Sequence, residues 1–168
     1  MKTDQPIFIS FYTNNGKYPK KAKALEKSLK LFDLKYDLVP LNKNFNSWID
    51  VVFYKATFIF DSLLKFRSSV VWLDIDNEIW QFPSLLFRDN DFAIYNWFAD
   101  QDHHLDGKID FNPNAKKLLC SGGVQKYGYT APSIHLLLHW INLIKTKKDI
   151  LYKGCLLYTS DAADDRMR

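Results

Sequence analysis

The chain has 168 residues, 47% of them hydrophobic and 25% charged, a composition typical of a globular domain. Its net charge of +4 gives little basis for nucleic-acid binding, and no stretch reaches the roughly 18 apolar residues of a membrane span. The two cysteines, Cys120 and Cys155, form neither a disulfide framework nor a zinc pattern, which predicts a reducing, cytoplasmic location.

The first part of the chain alternates strand and helix patterns. A compact apolar strand is predicted over Pro6–Tyr12, followed by a loop rich in Asn and Gly. Apolar residues at helical spacing then predict a helix from Pro19 to about Phe32, and residues 35–41 read as a short second strand.

A second helix is predicted between Ser47 and about Phe66, because Ser47 followed by Asp50 resembles a capping box before an apolar stripe. Three strands and a last helix follow, at residues 68–75, Asp91–Trp97, Ser121–Tyr127 and about Pro132–Ile144. This alternation predicts an α/β fold with a mostly parallel central sheet covered by helices on both faces.

Two carboxylates, Asp74 and Asp76, stand where the third strand should leave the core. Ligands of open parallel sheets bind outside the carboxyl ends of strands, and residues two apart in extended chain share a face. The pair could therefore hold one divalent cation whose shell is completed by substrate phosphates. The alternative is a polar strand end that begins a turn.

Two other kinds of site place carboxylates in a similar pattern. A calcium EF-hand loop counted from Asp74 fails, because its sixth and twelfth positions are Ile79 and Leu85. A phosphatase of the haloacid dehalogenase type is weakened by Glu78 and by the motif's place on the third strand, and it stays open.

Five segments in order resemble a GT-A-fold glycosyltransferase with a D-x-D motif, over roughly residues 6 to 145: "FISFYTNN", "YKATFIFDSLLKF", "VVWLDIDNEIWQFP", "DFAIYNW" and "CSGGVQKYGYTAPSIHLLLHW". The resemblance implies a three-layer α/β/α, Rossmann-like nucleotide-diphospho-sugar transferase fold with Mn²⁺ or Mg²⁺ on the donor diphosphate. It implies metal and nucleotide binding by Asp74 and Asp76. Further donor contacts are implied for Tyr12, Thr13, Lys55, Ser121, Gly122 and Gly123.

Several of these residues have plainer interpretations that the sequence leaves open. Tyr12 could be a core aromatic at a strand end, and Gly122 and Gly123 could form only a bulge or turn. Lys55, on a helix with an apolar face, could be a solvated lysine.

The histidines are less informative. His103 and His104, beside Asp102 and Asp106, could bind metal, although a hydrated loop is the commoner reading. His135 and His139 share a helix face, but without a Glu after His135 they are expected to be partly buried structural residues. Core positions are expected for Trp48, Trp72 and Trp140.

The stretch "CLLYTSDAADDRMR" breaks the preceding pattern and resembles translated adapter sequence, so one incomplete domain is expected over residues 1–154, with a non-native tail over 155–168. No general base can be named, and Asp100 and Asp102 are candidate acceptor-side carboxylates. The expected function is sugar transfer from a nucleotide donor, UDP-linked among the candidates, to a glycan or lipid-linked acceptor. A metal-dependent phosphatase or nucleotidyltransferase, or a catalytically incomplete nucleotide-binding module, is the alternative.

Overall fold

The computed structural model describes residues 5–42, 45–96 and 120–156. In these ranges lie strands β1 (Ile7–Thr13), β2 (Tyr36–Leu41), β3 (Val70–Leu73), β4 (Phe92–Asn96) and β5 (Cys120–Tyr127), with helices α1 (Tyr18–Leu31), α2 (Trp48–Phe66) and α3 (Ala131–Leu156). A short 3₁₀ helix, Ser84–Phe87, lies between β3 and β4. Each of the predicted strands and helices is confirmed, whereas the 3₁₀ helix was not predicted.

The two long helices of the first half begin and end as their sequences direct. Proline stands in the first turn of α1, where its missing N–H costs no hydrogen bond. The predicted cap of α2 is confirmed, since the Asp50 N–H donates to Ser47 Oγ. Helix α2 ends where Arg67 takes a left-handed conformation and its N–H donates to the Leu63 carbonyl.

The five strands form one sheet in the order β2-β1-β3-β5-β4. Strand β1 pairs parallel with β2 and β3, whereas β5 pairs antiparallel with both β3 and β4. The sheet is therefore mixed, and the prediction of a mostly parallel sheet is wrong.

The described connections account for the parallel half of the sheet. Parallel neighbours require a crossover, usually a helix, and α1 and α2 supply one before β2 and before β3. After β3 the described chain carries only the four-residue 3₁₀ helix before β4. Strand β5 lies between β3 and β4 and runs antiparallel to both, and the residues that join β4 to β5 lie outside the described ranges.

Alternate residues of the central strands feed two separate hydrophobic cores. Ile9 and Trp72 join residues of α2 and α3, including Phe58 and Leu137. Phe8, Val71 and Leu73 join Ala22, Leu25 and Leu29 of α1, with Ile79, Leu86 and Phe87 packed against them. Because side chains alternate across a strand, the two cores lie on opposite faces of the sheet.

Two boundaries differ from prediction. Strand β3 ends at Leu73 instead of near residue 75, and α3 continues to Leu156 instead of ending near Ile144. Residues 157–168 of the expected tail lie outside the described ranges. None of the described helices combines the length and apolar character that crossing a bilayer requires.

Candidate functional site

One edge of the sheet gathers the candidate residues. Strands β1, β2 and β3 run parallel, so their carboxyl ends meet at this edge. Strand β5 runs the opposite way and begins there, since Leu73 at the end of β3 pairs with Val124. Helix α2 follows β2, so its first turns also stand at this edge.

The two aspartates lie in a tight turn directly after β3. The Asn77 N–H donates to the Asp74 carbonyl at 3.0 Å, which closes a turn over residues 74–77. Within it, Ile75 is buried and Asp76 is exposed. The two aspartates therefore do not stand in extended chain as expected, and the turn that the alternative interpretation predicted after the strand is present; whether the pair binds a cation stays a prediction.

The Asp74 side chain is held by a lysine and an indole. Lys55 Nζ donates to Asp74 Oδ1 at 2.7 Å, and Trp72 Nε1 donates to the same oxygen at 2.8 Å. The Lys55 ammonium also lies 4.9 Å from the centre of the Trp72 ring. With only 12% of its side chain exposed, Lys55 is not the solvated lysine that the sequence left open.

The glycines of β5 connect this cluster to the antiparallel half of the sheet. The Gly122 carbonyl accepts from Lys55 Nζ at 2.9 Å, and the Gly123 carbonyl accepts from the Asp74 N–H and from Asn77 Nδ2. Both glycines lie inside β5, so their assignment to a turn is wrong.

The alternative of a bulge fits the β4–β5 pairing. The three residues of β4 from Ile94 to Asn96 face six of β5, from Gln125 back to Cys120. A Cβ on Gly122 would lie 3.7 Å from Lys55 Nζ, an ordinary contact, so the lysine does not require glycine there.

The chemistry of Asp74 and Asp76 determines whether they could serve as metal ligands. Both donors to Asp74 bond Oδ1, which leaves Oδ2 as a potential ligand on a side chain that is 40% exposed. In the described part of the chain no group of three or more His, Cys, Asp or Glu could hold an ion. One or two carboxylates, completed by water and phosphate oxygens, are the usual Mg²⁺ set, so Asp74 and Asp76 fit a cation that arrives with a diphosphate.

Three further residues, Tyr12, Thr13 and Ser121, are predicted to contact the nucleotide-sugar donor. Tyr12 ends half-buried against the core on the α1 side, which accords with the core-aromatic alternative. Thr13 Oγ1 donates to Asn15 Oδ1 at 2.6 Å in the loop after β1. The backbone of Ser121 lies in β5, and its side chain lies outside the described residues.

The other candidates lie away from this cluster or outside the described ranges. His135 and His139 are both exposed on α3, so the expectation that they are partly buried is wrong. Trp72 is a core residue as predicted, and Trp140 packs against the same core. The structure does not describe Asp100, Asp102, His103, His104 or Asp106, or the side chain of Trp48.

Two residues of the hydrogen-bonded cluster around Asp74, Trp72 and Asn77, were not predicted from the sequence. Trp72 was assigned to the core alone, although Trp72 and Asp74 are two apart at a strand end and so share the face that α2 covers. That spacing was a usable signal. Asn77, whose side chain reaches the Gly123 carbonyl at 2.8 Å, carried no such signal.

Comparison with known proteins adds a distant structural likeness. No protein-family model and no curated protein sequence matches the chain. Among solved structures, a glycosyltransferase involved in the glycosylation of the major capsid of PBCV-1 aligns with 84% of this chain and 67% of its own, at 15% identity and a TM-score of 0.45. At that identity and score the likeness does not extend to an activity of this chain.

Proposed function

We propose that this chain is a glycosyltransferase that moves a sugar from a nucleotide-sugar donor to a glycan or lipid-linked acceptor. The observation that carries the proposal is the Asp74 carboxylate, fixed by Lys55 at 2.7 Å where the parallel strands end, with exposed Asp76 in the same turn. Open α/β sheets bind ligands at this edge. The ordered resemblance of the sequence to D-x-D transferases selects the chemistry.

In this proposal the protein orients the Asp74 carboxylate before the donor arrives. Lys55 and Trp72 bond Asp74 Oδ1, so the carboxylate loses rotational freedom in the free protein and binding costs less entropy. Oδ2 and the Asp76 carboxylate would then hold Mn²⁺ or Mg²⁺. When bound, the cation acts as a Lewis acid on the departing diphosphate.

The donor's other parts are assigned to the neighbouring strand ends. Tyr12 and Thr13, at the end of β1, would contact the base. The β5 segment around Ser121, Gly122 and Gly123 would face the transferred sugar, with its carbonyls already engaged by Lys55 and Asn77. A UDP-linked donor is proposed as the first to test.

A thermal-shift experiment tests the site. UDP, GDP and inorganic phosphate are each added with and without Mn²⁺ to wild type, Asp74→Asn, Asp76→Asn and the control Asp61→Asn, an exposed aspartate on α2. A ligand at about 100 times its Kd should raise the wild-type Tm by roughly 5–10 °C. We expect that rise to need both metal and nucleoside diphosphate.

The variants and the phosphate arm separate the alternatives. Both D-x-D variants should lose the metal-dependent rise while Asp61→Asn keeps it. A rise that survives in Asp74→Asn and Asp76→Asn would show that the site is elsewhere. An equal rise with inorganic phosphate and metal would favour a phosphatase instead. Binding without donor hydrolysis or transfer would identify a nucleotide-binding module.

A further inference from the structure

The exposed side of α1 carries a row of lysines. Lys20, Lys23, Lys27 and Lys30 recur at spacings of three and four residues, so they project from one side of the helix, and all four are exposed. The opposite side packs into the core through Ala22, Leu25 and Leu29. From Lys20 to Lys30 the row extends about 15 Å at 1.5 Å per residue.

Few acidic groups offset this row. Among the described residues, Glu26 makes the one ion pair to it, with Lys30 at 2.7 Å, and it also accepts the Tyr36 hydroxyl. The hydrogen bonds from Lys30 and Tyr36 hold the pKa of the Glu26 carboxyl below its ordinary value. Lys20, Lys23 and Lys27 keep their ammonium groups directed toward solvent.

Exposed apolar side chains adjoin the lysines. Leu31 follows Lys27 by one helical turn and is 75% exposed. The segment after β3 is tied to the same helix, because the Ile79 N–H donates to Ser28 Oγ at 3.0 Å. Trp80, the next residue, is 86% exposed, and Phe82 and Leu85 are exposed farther along the segment.

These elements share one side of the sheet. Ile79, Leu86 and Phe87 pack against the core that α1 also covers, so the exposed side chains of both elements project away from that core. Phe82 stacks on Phe87 with ring centres 4.9 Å apart, so it lies on this side of the sheet as well. We refer to Lys20, Lys23, Lys27, Lys30, Leu31, Trp80, Phe82 and Leu85 together as the α1 face.

We propose that the α1 face docks on the surface of an anionic lipid bilayer. Lysine rows are attracted to the negative headgroups, at roughly a fivefold gain in binding per lysine. Trp is favoured at the headgroup level, where its ring contacts the acyl boundary and its N–H stays hydrated. A nucleic-acid duplex would match the lysines but, with its bases stacked inside, would gain nothing from the exposed Leu31 and Leu85.

The docking is peripheral and shallow. The apolar side of α1 is committed to the protein core, so the helix cannot roll its hydrophobic stripe into the bilayer as a free amphipathic helix does. Binding should therefore be dominated by charge and fall steeply with salt. The exposed carboxylate of Glu78, beside Trp80, opposes it in part.

Vesicle flotation tests the proposal with a matched pair of variants. The full chain is mixed with vesicles of phosphatidylcholine alone or of phosphatidylcholine with phosphatidylserine. Lys23→Gln/Lys27→Gln is compared with Lys65→Gln/Lys145→Gln, which removes the same charge from exposed positions on α2 and α3. We expect binding to the anionic vesicles only, weakened roughly 20- to 30-fold by the α1 pair and little changed by the control pair.

A second measurement reports on Trp80. Adding anionic vesicles should shift the tryptophan emission of the wild type to shorter wavelength, and Trp80→Phe should abolish that shift while keeping the far-UV circular dichroism. Equal losses in both double variants would overturn the proposal, because net charge alone would then explain binding. So would failure to bind the anionic vesicles, or tighter binding to duplex DNA than to the vesicles at the same salt.

Discussion

Lys55 and Lys65 make the same ion pair in different surroundings. Each ammonium lies 2.7 Å from an aspartate oxygen, Lys55 from Asp74 and Lys65 from Asp37. Lys55 is 12% exposed and also donates to a backbone carbonyl, whereas Lys65 is 61% exposed. Water screens the second pair far more than the first, so the two lysines should differ in what they contribute to stability.

Replacing each lysine by methionine measures that difference. Lys55→Met should lower the free energy of unfolding by about 1–2 kcal/mol, because the Gly122 carbonyl and Asp74 lose a donor that water reaches poorly. Lys65→Met should lower it by less than about 0.5 kcal/mol. Urea denaturation gives both values. Equal losses would mean that Lys55 behaves as a surface lysine and that the cluster does not hold Asp74 in place.

Helix α2 carries both lysines. The two ends of this helix are fixed by different interactions. The Ser47 side chain satisfies an N–H at the start, as the sequence predicts. At the end, Arg67 adopts φ 49° and ψ 35°, a left-handed conformation in which a Cβ is strained. Nothing in the pattern of apolar residues indicates that strain, since it follows from the turn into β3.

Relieving the strain should stabilise the protein. Arg67→Gly is expected to raise the free energy of unfolding by about 0.5–1 kcal/mol, because glycine reaches positive φ without a Cβ clash. Arg67→Ala removes the same charged side chain but keeps the Cβ, so it should give no gain. Chemical denaturation of the three proteins decides the matter. A gain in the alanine variant equal to that in the glycine variant would attribute the effect to the arginine side chain instead.

The whole molecule depends on β5 to join β4 to the rest of the sheet. Tyr127 pairs with Val70 on one side and with Phe92 on the other, and its ring packs into the core shared with α2 and α3. The hydroxyl donates to Gln125 Oε1 at 3.0 Å. Burial raises the pKa of this phenol well above its ordinary value of 10.0.

The raised pKa makes the fold sensitive to alkali. Above pH 10 the unfolded chain loses the Tyr127 proton while the folded chain keeps it, so this group's stabilisation is present below that pH and is lost as the pH rises. Tyr127→Phe should lower the free energy of unfolding by about 1 kcal/mol at neutral pH, and the gap to wild type should narrow above pH 10. Urea titrations at both pH values check this, and an unchanged gap would contradict it.

At the site, local sequence explains which residues are present and tertiary structure explains how they are used. The apolar strand followed by Asp74 and Asp76 already marked the end of β3 as a candidate. The bond from Lys55 to Gly122 joins residues 67 positions apart, and no local pattern reports a contact of that range. The turn over residues 74–77 likewise depends on another strand, because the Asp74 N–H and Asn77 Nδ2 both donate to the Gly123 carbonyl of β5.

For the fold as a whole, hydrophobic periodicity determined which segments form helices and strands and their order along the chain, because each element must bury one side. Strand direction beyond β3 was decided only by tertiary structure. A strand such as β5 has the same alternation whether its neighbours run with it or against it, so its sequence carries little information about direction. In the folded sheet β5 lies between β3 and β4 and runs antiparallel to both, a direction set by pairing with strands distant in sequence.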